Sequence, residues 1–270
     1  MADVIWTGAT DGDYGTATNW STGSVPGAGD NVFFTSDYNV SVTAGLNQSA
    51  TTIGNFTVDG YTGKIGTKSG YLQIALSGVV NVRGLDQIYL NIGSSNVDVT
   101  VTGSASTTGT PGLMLLGSNI DNLNITAGSV GLAYNPGETA TAATLKILGG
   151  EIEVGTGVTI TSANIQGGGL TTDSSLTTLT IYSGTAVLNN SAAVATVNSN
   201  GGAITYNSSG TIGTLNLSGS VDCSGSLVAR TITTLAPAAG GSITYDPSVV
   251  TISNKSAPSL PIEETYRDGF

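Results

Sequence analysis

The acidic residues with the most suggestive spacing are Glu151 and Glu153. They are two positions apart, so on a β-strand their carboxylates would share one face at about 7 Å from each other. A carboxylate pair at such a distance can act as acid and base on a glycosidic bond. Catalysis also needs one raised pKa, and nothing in the surrounding sequence predicts burial. We therefore expect two solvated side chains on an outward face, beside Lys146.

A second acidic group could supply oxygen ligands to Ca²⁺. Asp11 and Asp13 form a D-x-D spacing within TDGDYG, and Asp30 follows in the same N-terminal segment. The remaining ligand positions of an EF-hand loop are absent, and turns stabilised by aspartate side chains explain the pattern equally well. The sequence therefore predicts no metal site.

The chain lacks the residues on which most hydrolytic and zinc sites depend. It contains no histidine and a single cysteine, Cys223, which excludes Ser-His-Asp triads, Cys-His pairs and zinc sites built from histidines or several cysteines. The basic residues Arg83, Lys146 and Arg230 are too scattered in the sequence to indicate the cationic cluster of a β-helical lyase. We expect a protein that is not an enzyme and needs no cofactor.

Charge and hydropathy exclude several classes of partner. Seven basic residues against 18 acidic ones give a net charge of −11, and the basic residues form no stripe that could displace counterions from a nucleic acid. Anionic membrane surfaces are disfavoured for the same reason, and no apolar run approaches the ~20 residues of a membrane span. The start of the sequence shows no secretory signal, so we expect folding in the cytosol of the producing cell.

Composition indicates a folded protein rich in β-strands. The 270 residues include 40 Thr, 39 Gly, 30 Ser and 20 Asn, and only 9% of residues are charged. Such a mixture is typical of disordered chains, but short apolar β-branched runs such as VDVTV and LTIYS recur throughout, and disordered segments lack them. No useful stretch has the 3.6-residue apolar period of a helix, so helices should be few.

A short repeat occupies the second half of the chain. Each copy contains a strand, a glycine-containing bend and a second strand, in the rows TLKILGGEI (144–152), SANIQGGGL (162–170), TLTIYSGTAV (178–187), TVNSNGGAI (196–204) and TLNLSGSVD (214–222). The first apolar positions of these copies are Leu145, Ala163, Leu179, Val197 and Leu215, at spacings of 18, 16, 18 and 18 residues. Because no copy can bury its apolar face alone, the copies must stack on one another.

Stacked rungs of this length predict an all-β fold, a single-stranded parallel β-helix (β-solenoid). Upstream strands are expected in VSVTA (40–44), TIGNFTVDG (52–60), YLQIALSG (71–78), VNVRG (80–84), IYLNIG (88–93) and VDVTVTG (97–103). At about 20 residues per rung, residues 40–254 make roughly 10 rungs. An antiparallel sandwich with strands every 8–12 residues is the alternative, which the aligned glycine bends disfavour.

Two segments flank the predicted solenoid of residues 40–254. Residues 1–39 hold the aromatic residues Trp6, Trp20, Phe33 and Phe34, which we expect to cap the open end of the solenoid core. Residues 255–270 follow the last strand signal and predict an extended tail, which either docks on a partner or frays as chain ends commonly do. The docking residues expected in this tail are Pro258, Leu260, Pro261, Ile262, Tyr266 and Phe270.

The N-terminal segment resembles a pattern of bacterial autotransporter-like and phage-borne β-helix proteins. The pattern has a Trp-Gly start, an Asn-Trp pair, a Pro-Gly turn and a Gly-Asp pair before an apolar strand. In this chain these elements are Trp6 and Gly8, Asn19-Trp20, Pro26-Gly27, and Gly29-Asp30 followed by Val32-Phe33-Phe34. The resemblance covers about 30 residues and implies the cap of a β-helix, not an activity.

Since autotransporter passengers carry an export signal and a membrane barrel, which this sequence does not show, the resemblance implies a phage structural protein. We expect a virion protein assembled in the host cytoplasm, first of all a decoration or cement protein bound to the major capsid protein. A homotrimer would cover the lateral apolar strips of the solenoid. The alternatives are a tail or bacterial surface adhesin that binds host glycans, and a β-helical polysaccharide lyase or hydrolase. Tyr206 and Tyr245, in AITYN and SITYD, could stack on sugars or on neighbouring rungs.

Overall fold

The computed structural model describes residues 1–105, 109–256 and 263–266, and in these residues the protein is all-β. A single 3₁₀ turn, Ala17–Asn19, is the only helical element among them. This confirms the predicted fold class and the expectation of few helices. From β2 onward the strands alternate along the chain between two sheets, and the long strand β9 contributes to both.

The strands follow one another at short intervals. In chain order they are β1 (Asp3–Ile5), β2 (Asn31–Thr35), β3 (Asn47–Ile53), β4 (Phe56–Asp59), β5 (Leu72–Leu76), β6 (Val80–Gly84), β7 (Ile88–Asn91), β8 (Val97–Ser104), β9 (Leu113–Ile125), β10 (Ser129–Leu132), β11 (Ala140–Ile147), β12 (Glu151–Val154), β13 (Val158–Ile165), β14 (Gly169–Thr172), β15 (Leu176–Ile181), β16 (Thr185–Leu188), β17 (Val194–Ser199), β18 (Ala203–Tyr206), β19 (Thr211–Leu217), β20 (Ser220–Asp222), β21 (Arg230–Pro237), β22 (Ser242–Tyr245), β23 (Val250–Lys255) and β24 (Glu263–Tyr266).

The pairing of these strands makes a parallel β-solenoid of about 11 turns. A first sheet contains β1, β2, β4, β6, β8, part of β9 and then the odd-numbered strands from β11 to β23. A second sheet contains β3, β5, β7, the start of β9 and then the even-numbered strands from β10 to β24. Every pairing between these strands is parallel, which rules out the antiparallel sandwich.

The register of the first sheet reproduces the sequence repeat. Leu145 is opposite Ala163, and the ladder continues through Leu179 and Val197 to Leu215. One further step along the chain pairs Leu215 with Leu235. The apolar anchors of the repeat are therefore stacked directly on one another, and the predicted parallel stacking is confirmed.

Inward alternation of apolar side chains builds the core. In β11 the buried residues are Ala140, Ala142, Leu145 and Ile147. Two successive outward positions, 143 and 144, separate the pair Ala140 and Ala142 from the pair Leu145 and Ile147. The long strand therefore lines two sides of the interior. The short strand β12 lines the third side with Ile152 and Val154. Each turn thus buries an apolar set that only the turns above and below can cover.

Two regions differ from the strand expectations. VSVTA (40–44) forms only isolated bridges, in which Val42 is opposite Ile65 and Ala44 is opposite Asp13. Within the expected tail, residues 263–266 form β24, which pairs in parallel with β22. The N-terminal segment is likewise joined to the sheet, because β1 pairs with β2 and β2 pairs with β4.

Candidate functional site

The aromatic residues expected in the N-terminal cap occupy two different environments. Trp6, Trp20 and Phe34 are fully buried, with exposed fractions of 0%, 2% and 0%. The two tryptophan rings meet edge to face at a centroid distance of 5.1 Å, and Tyr14 contacts Trp20 in the same way at 4.6 Å. Phe33 alternates to the outer side of β2 and is only partly buried, so it does not join this cluster.

The polar groups of the cap are organised around Asn19, whose side chain is fully buried. Its Oδ1 accepts hydrogen bonds from the backbone N–H groups of Thr10 and Asp11 at 2.8 and 3.1 Å. Its Nδ2 donates to Asp11 Oδ1 at 2.7 Å and to the backbone carbonyl of Asp13 at 2.9 Å. Every hydrogen-bonding position of the amide is satisfied, as burial of a polar group demands.

The carboxylates weighed as Ca²⁺ ligands serve separate turns. Asp11 accepts a hydrogen bond from the Asp13 N–H, and this bond, together with that from Asn19, holds the pKa of Asp11 below its usual range. Asp30 accepts from the N–H groups of Ala2 and Gly27, which lower its pKa in the same manner. Among the described residues, no group of three acidic, histidine or cysteine side chains could hold a metal ion.

The expected docking tail is largely outside the part of the chain that the structure describes. Pro258, Leu260, Pro261, Ile262 and Phe270 all lie outside the described residues. The backbone of Tyr266 is described, and it pairs with Tyr245 at the end of β24. Docking by this segment therefore stays a prediction.

The other charged residues singled out from the sequence lie apart from one another. Glu151 is exposed and Glu153 is partly buried on the outer side of β12. Arg83 forms an ion pair with Asp59 at 2.5 Å on the first sheet. Lys146 lies on β11, in the other sheet from the glutamates. The structure brings these groups into no common site.

Tyr206 and Tyr245 point into the solenoid rather than outward. Their exposed fractions are 0% and 5%, and Cys223 lies buried between their rungs, where burial raises the pKa of its thiol to about 12. Arg230 is also buried, with its guanidinium 5.5 Å from the centre of the Tyr206 ring. Both tyrosines are thus part of the packed core, and their burial leaves no ring face on which a sugar could stack.

A site that the sequence did not indicate lies on the outer side of the second sheet. Tyr71, Tyr89 and Met114 form a separate apolar cluster there, outside the solenoid core. Tyr89 and Met114 are neighbours in the register of β7 and β9 and are only 6% and 1% exposed. The rings of Tyr71 and Tyr89 meet edge to face at 5.5 Å. We call these three residues, with Tyr134 packed against them, the outer aromatic cluster.

The segment after β10 folds back over this cluster through a tight turn at residues 135–138. Residues 135–138 read Asn-Pro-Gly-Glu, and Gly137 has a φ of 84°, which a glycine adopts without strain. The Glu138 carboxylate closes the turn by accepting from the Asn135 N–H and from its side-chain amide, both at 2.9 Å. The turn then holds Tyr134 over the outer face of the sheet.

A hydrogen bond ties this turn to the cluster. Asn135 Nδ2 donates to the Tyr71 hydroxyl at 3.2 Å, across 64 residues of sequence. Burial, followed by the neighbouring Glu138 carboxylate, raises the pKa of Tyr71 above its usual range. Burial also raises the pKa of Tyr89. Both phenols therefore stay protonated at neutral pH and can donate hydrogen bonds.

Two cavities flank the turn. The first, of about 310 Å³, is lined by Lys68, Gln87, Tyr89, Thr110, Met114, Tyr134 and Asn135. The second, of about 500 Å³, lies on the other side of Glu138 and is lined mainly by small and polar residues, among them Asn91, Ser94 and Thr139. The first combines aromatic and apolar surface with convergent polar groups, which is the usual make-up of a small-molecule site.

A sequence signal for this site does exist. The outward positions that Tyr89 and Met114 occupy continue through Gly131, Glu153, Thr171, Val187 and Thr205 in later rungs. An outward tyrosine and methionine next to each other in a ladder that is mostly polar indicate a second layer above the sheet. The long loop NPGETATA, which breaks the repeat, supplies that layer.

Comparison with known proteins adds no further assignment. No family model, no curated protein and no solved structure matches the chain. None of the described residues belongs to a helix that is long and apolar enough to cross a membrane.

Proposed function

We propose that the protein is a non-enzymatic structural component of a phage particle, a decoration or cement protein attached to the outer surface of the capsid. The observation that carries this proposal is the uninterrupted parallel solenoid of about 11 turns, closed at its N-terminal end by the buried aromatic cap. A stack of rungs that share backbone hydrogen bonds is a stiff body, which suits a protein that projects from or reinforces a shell.

The resemblance of the N-terminal segment supports the same proposal. Trp6, Asn19, Trp20 and Asp30, which carry the resemblance, are the residues whose burial and hydrogen bonds hold the cap together. The shared pattern therefore has a structural reason, the closure of a β-helix end. Attachment as a homotrimer to the major capsid protein, and localisation in a virion assembled in the host cytoplasm, are parts of the proposal.

Quantitative mass spectrometry of purified particles tests this function. Particles are banded by density from a lysed culture of the source, and a labelled standard of peptide 69–83, which trypsin releases after Lys68 and Arg83, measures the copy number. We expect stoichiometric amounts relative to the major capsid protein, with a copy number that is a multiple of three. Absence of the peptide from banded particles that contain the capsid protein would overturn the proposal.

A second candidate function, an adhesin that binds host glycans, is favoured by the outer aromatic cluster and its cavity. Aromatic side chains with neighbouring amides supply both the apolar and the hydrogen-bonding surface that a sugar ring requires. Decoration and glycan binding are compatible, since a protein on the outside of a particle also meets the host surface.

A further inference from the structure

We infer that the 310 Å³ cavity beside the outer aromatic cluster is a binding site for one pyranose unit of a glycan. This inference rests on the second candidate function, glycan binding, and is independent of capsid attachment.

One polar group on the cavity wall has no partner among the described residues. Tyr89 is only 6% exposed, and its hydroxyl has no hydrogen-bond partner among the residues that the structure describes, although it lines the cavity. By contrast, the hydroxyls of Tyr71 and Tyr134 are bound to Asn135 and to the Gly109 carbonyl. The Tyr89 hydroxyl is not one of the buried unpaired atoms, so it opens into the cavity and can exchange a hydrogen bond to water for one to a ligand.

Two further lining groups are available to the same ligand. The Gln87 side-chain amide and the Lys68 ammonium form no hydrogen bond or ion pair within the described part of the chain. Gln87 is partly buried, whereas Lys68 is exposed at the mouth of the cavity. The Gln87 amide can both donate and accept hydrogen bonds, Tyr89 supplies a hydroxyl, and Lys68 supplies a cationic donor.

This combination fits a saccharide better than other ligand classes. A sugar ring offers hydroxyls that donate and accept, as an amide and a phenol require, and C–H faces that pack on apolar surface. Met114 and the ring of Tyr134 supply that surface. The volume is near the lower limit of the 300–1,000 Å³ typical of ligand pockets, so a single ring is the unit that fits.

The chain offers a built-in reporter for the test. Its only methionines are Met1 and Met114; Met114 lines the cavity, whereas Met1 is 96% exposed at the chain start. In a spectrum of protein with ¹³C-labelled methionine methyl groups, one signal therefore reports on the cavity and the other is an internal control. The purified full chain is titrated with methyl glucoside, methyl galactoside, N-acetylglucosamine and glucuronate at millimolar concentrations.

We expect at least one saccharide to shift the Met114 signal in a saturable way while the Met1 signal stays unchanged. Tyr89→Phe, which removes only the unpaired hydroxyl, is expected to weaken that binding about three- to tenfold, the effect of one lost hydrogen bond. Tyr182→Phe is the matched control. Tyr182 is 52% exposed and is not among the cavity residues, so its variant should bind as the wild type does.

The outcomes separate this site from the function on which it rests. No shift of Met114 with any saccharide of the panel overturns the site. Two other results also overturn the site: saccharide binding detected on the NMR signals of the saccharide while the Met114 signal does not shift, and equal affinities of Tyr89→Phe and the wild type. Either result leaves glycan binding elsewhere on the protein. Neither result affects capsid attachment, which the particle measurement decides.

Discussion

At the scale of single residues, the outer aromatic cluster depends on the absence of a side chain at Gly131. This glycine occupies the outward position next to Met114 in the register of β9 and β10. A Cβ atom at this position would lie 2.9 Å from both the Met114 Sδ and the Tyr134 Cβ, and 3.1 Å from the Pro111 Cγ. The missing side chain is what lets the covering segments approach the sheet, a common reason for glycine within a strand.

Gly131→Ala is therefore expected to lower the free energy of unfolding by about 1–3 kcal/mol, the usual cost of forcing an extra methyl group into a packed site. Urea denaturation followed by far-UV circular dichroism measures the change. The matched control is Gly103→Ala, because a Cβ there would meet only Arg83 Cγ at an ordinary 3.5 Å. An equal effect of the two substitutions would contradict this account of Gly131.

At the scale of elements, the N-terminal cap acts as a plug for the first turn of the solenoid. The Phe34 ring contacts Trp6 and Trp20 on one side and Phe56 on the other, at centroid distances of 5.9, 6.1 and 5.5 Å. Since Phe56 belongs to β4, the cap is packed directly on the solenoid core. The indole N–H of Trp20 donates to the Tyr14 carbonyl at 2.8 Å, so its burial leaves no unpaired donor.

Trp20→Ala is expected to destabilise the protein by about 3–5 kcal/mol, because it removes a large, fully buried ring at the centre of the cap. Phe33→Ala, one position from the buried Phe34 but on the outer side of β2, should cost less than about 1 kcal/mol. Thermal and urea unfolding of the two variants, followed by circular dichroism, give the comparison. Similar losses in both variants would show that the aromatic cluster does not hold the cap.

At the scale of the whole molecule, the two ends of the solenoid differ in how their edges are covered. β1 at the N-terminal edge is shielded by the cap: the Ile5 N–H donates to Ser21 Oγ at 3.0 Å, and the Ile5 carbonyl accepts from the Ser21 N–H at 2.9 Å. β23 pairs only with β21 within the part of the chain that the structure describes. A solenoid whose turns contact only their neighbours opens from its less protected end.

Hydrogen–deuterium exchange should therefore rank three regions. We expect the slowest exchange in β13, which pairs with β11 and β15, intermediate rates in the shielded β1, and the fastest exchange in β23. Exchange measured by mass spectrometry on the intact protein, at neutral pH and below the unfolding temperature, gives the order. Protection of β23 equal to that of β13 would mean that the C-terminal end is covered by another segment or by another copy.

Much of this structure is visible in the sequence because the fold is periodic. The ladder from Leu145 to Leu215 has the spacings read directly from the repeat, and the burial of Trp6 and Trp20 follows from their size at an open end. Other features have no periodic signal. The sequence does not distinguish Phe33 from Phe34, and only the register of β2 against β4 determines which of the two is buried.

The sequence by itself determined the all-β class, the parallel stacking and the alternation of inward and outward residues. Each rung repeats the same local backbone geometry, so the apolar residues recur in the sequence with the period of the rungs. Only the tertiary structure decided the outer aromatic cluster, its cavity and the pairing of β24 with β22. Those features depend on contacts such as that between Asn135 and Tyr71, 64 residues apart. Contacts between distant residues are set by how the rungs stack in space, so Tyr89 and Met114 are recognised as outward neighbours only once the register of β7 against β9 is known.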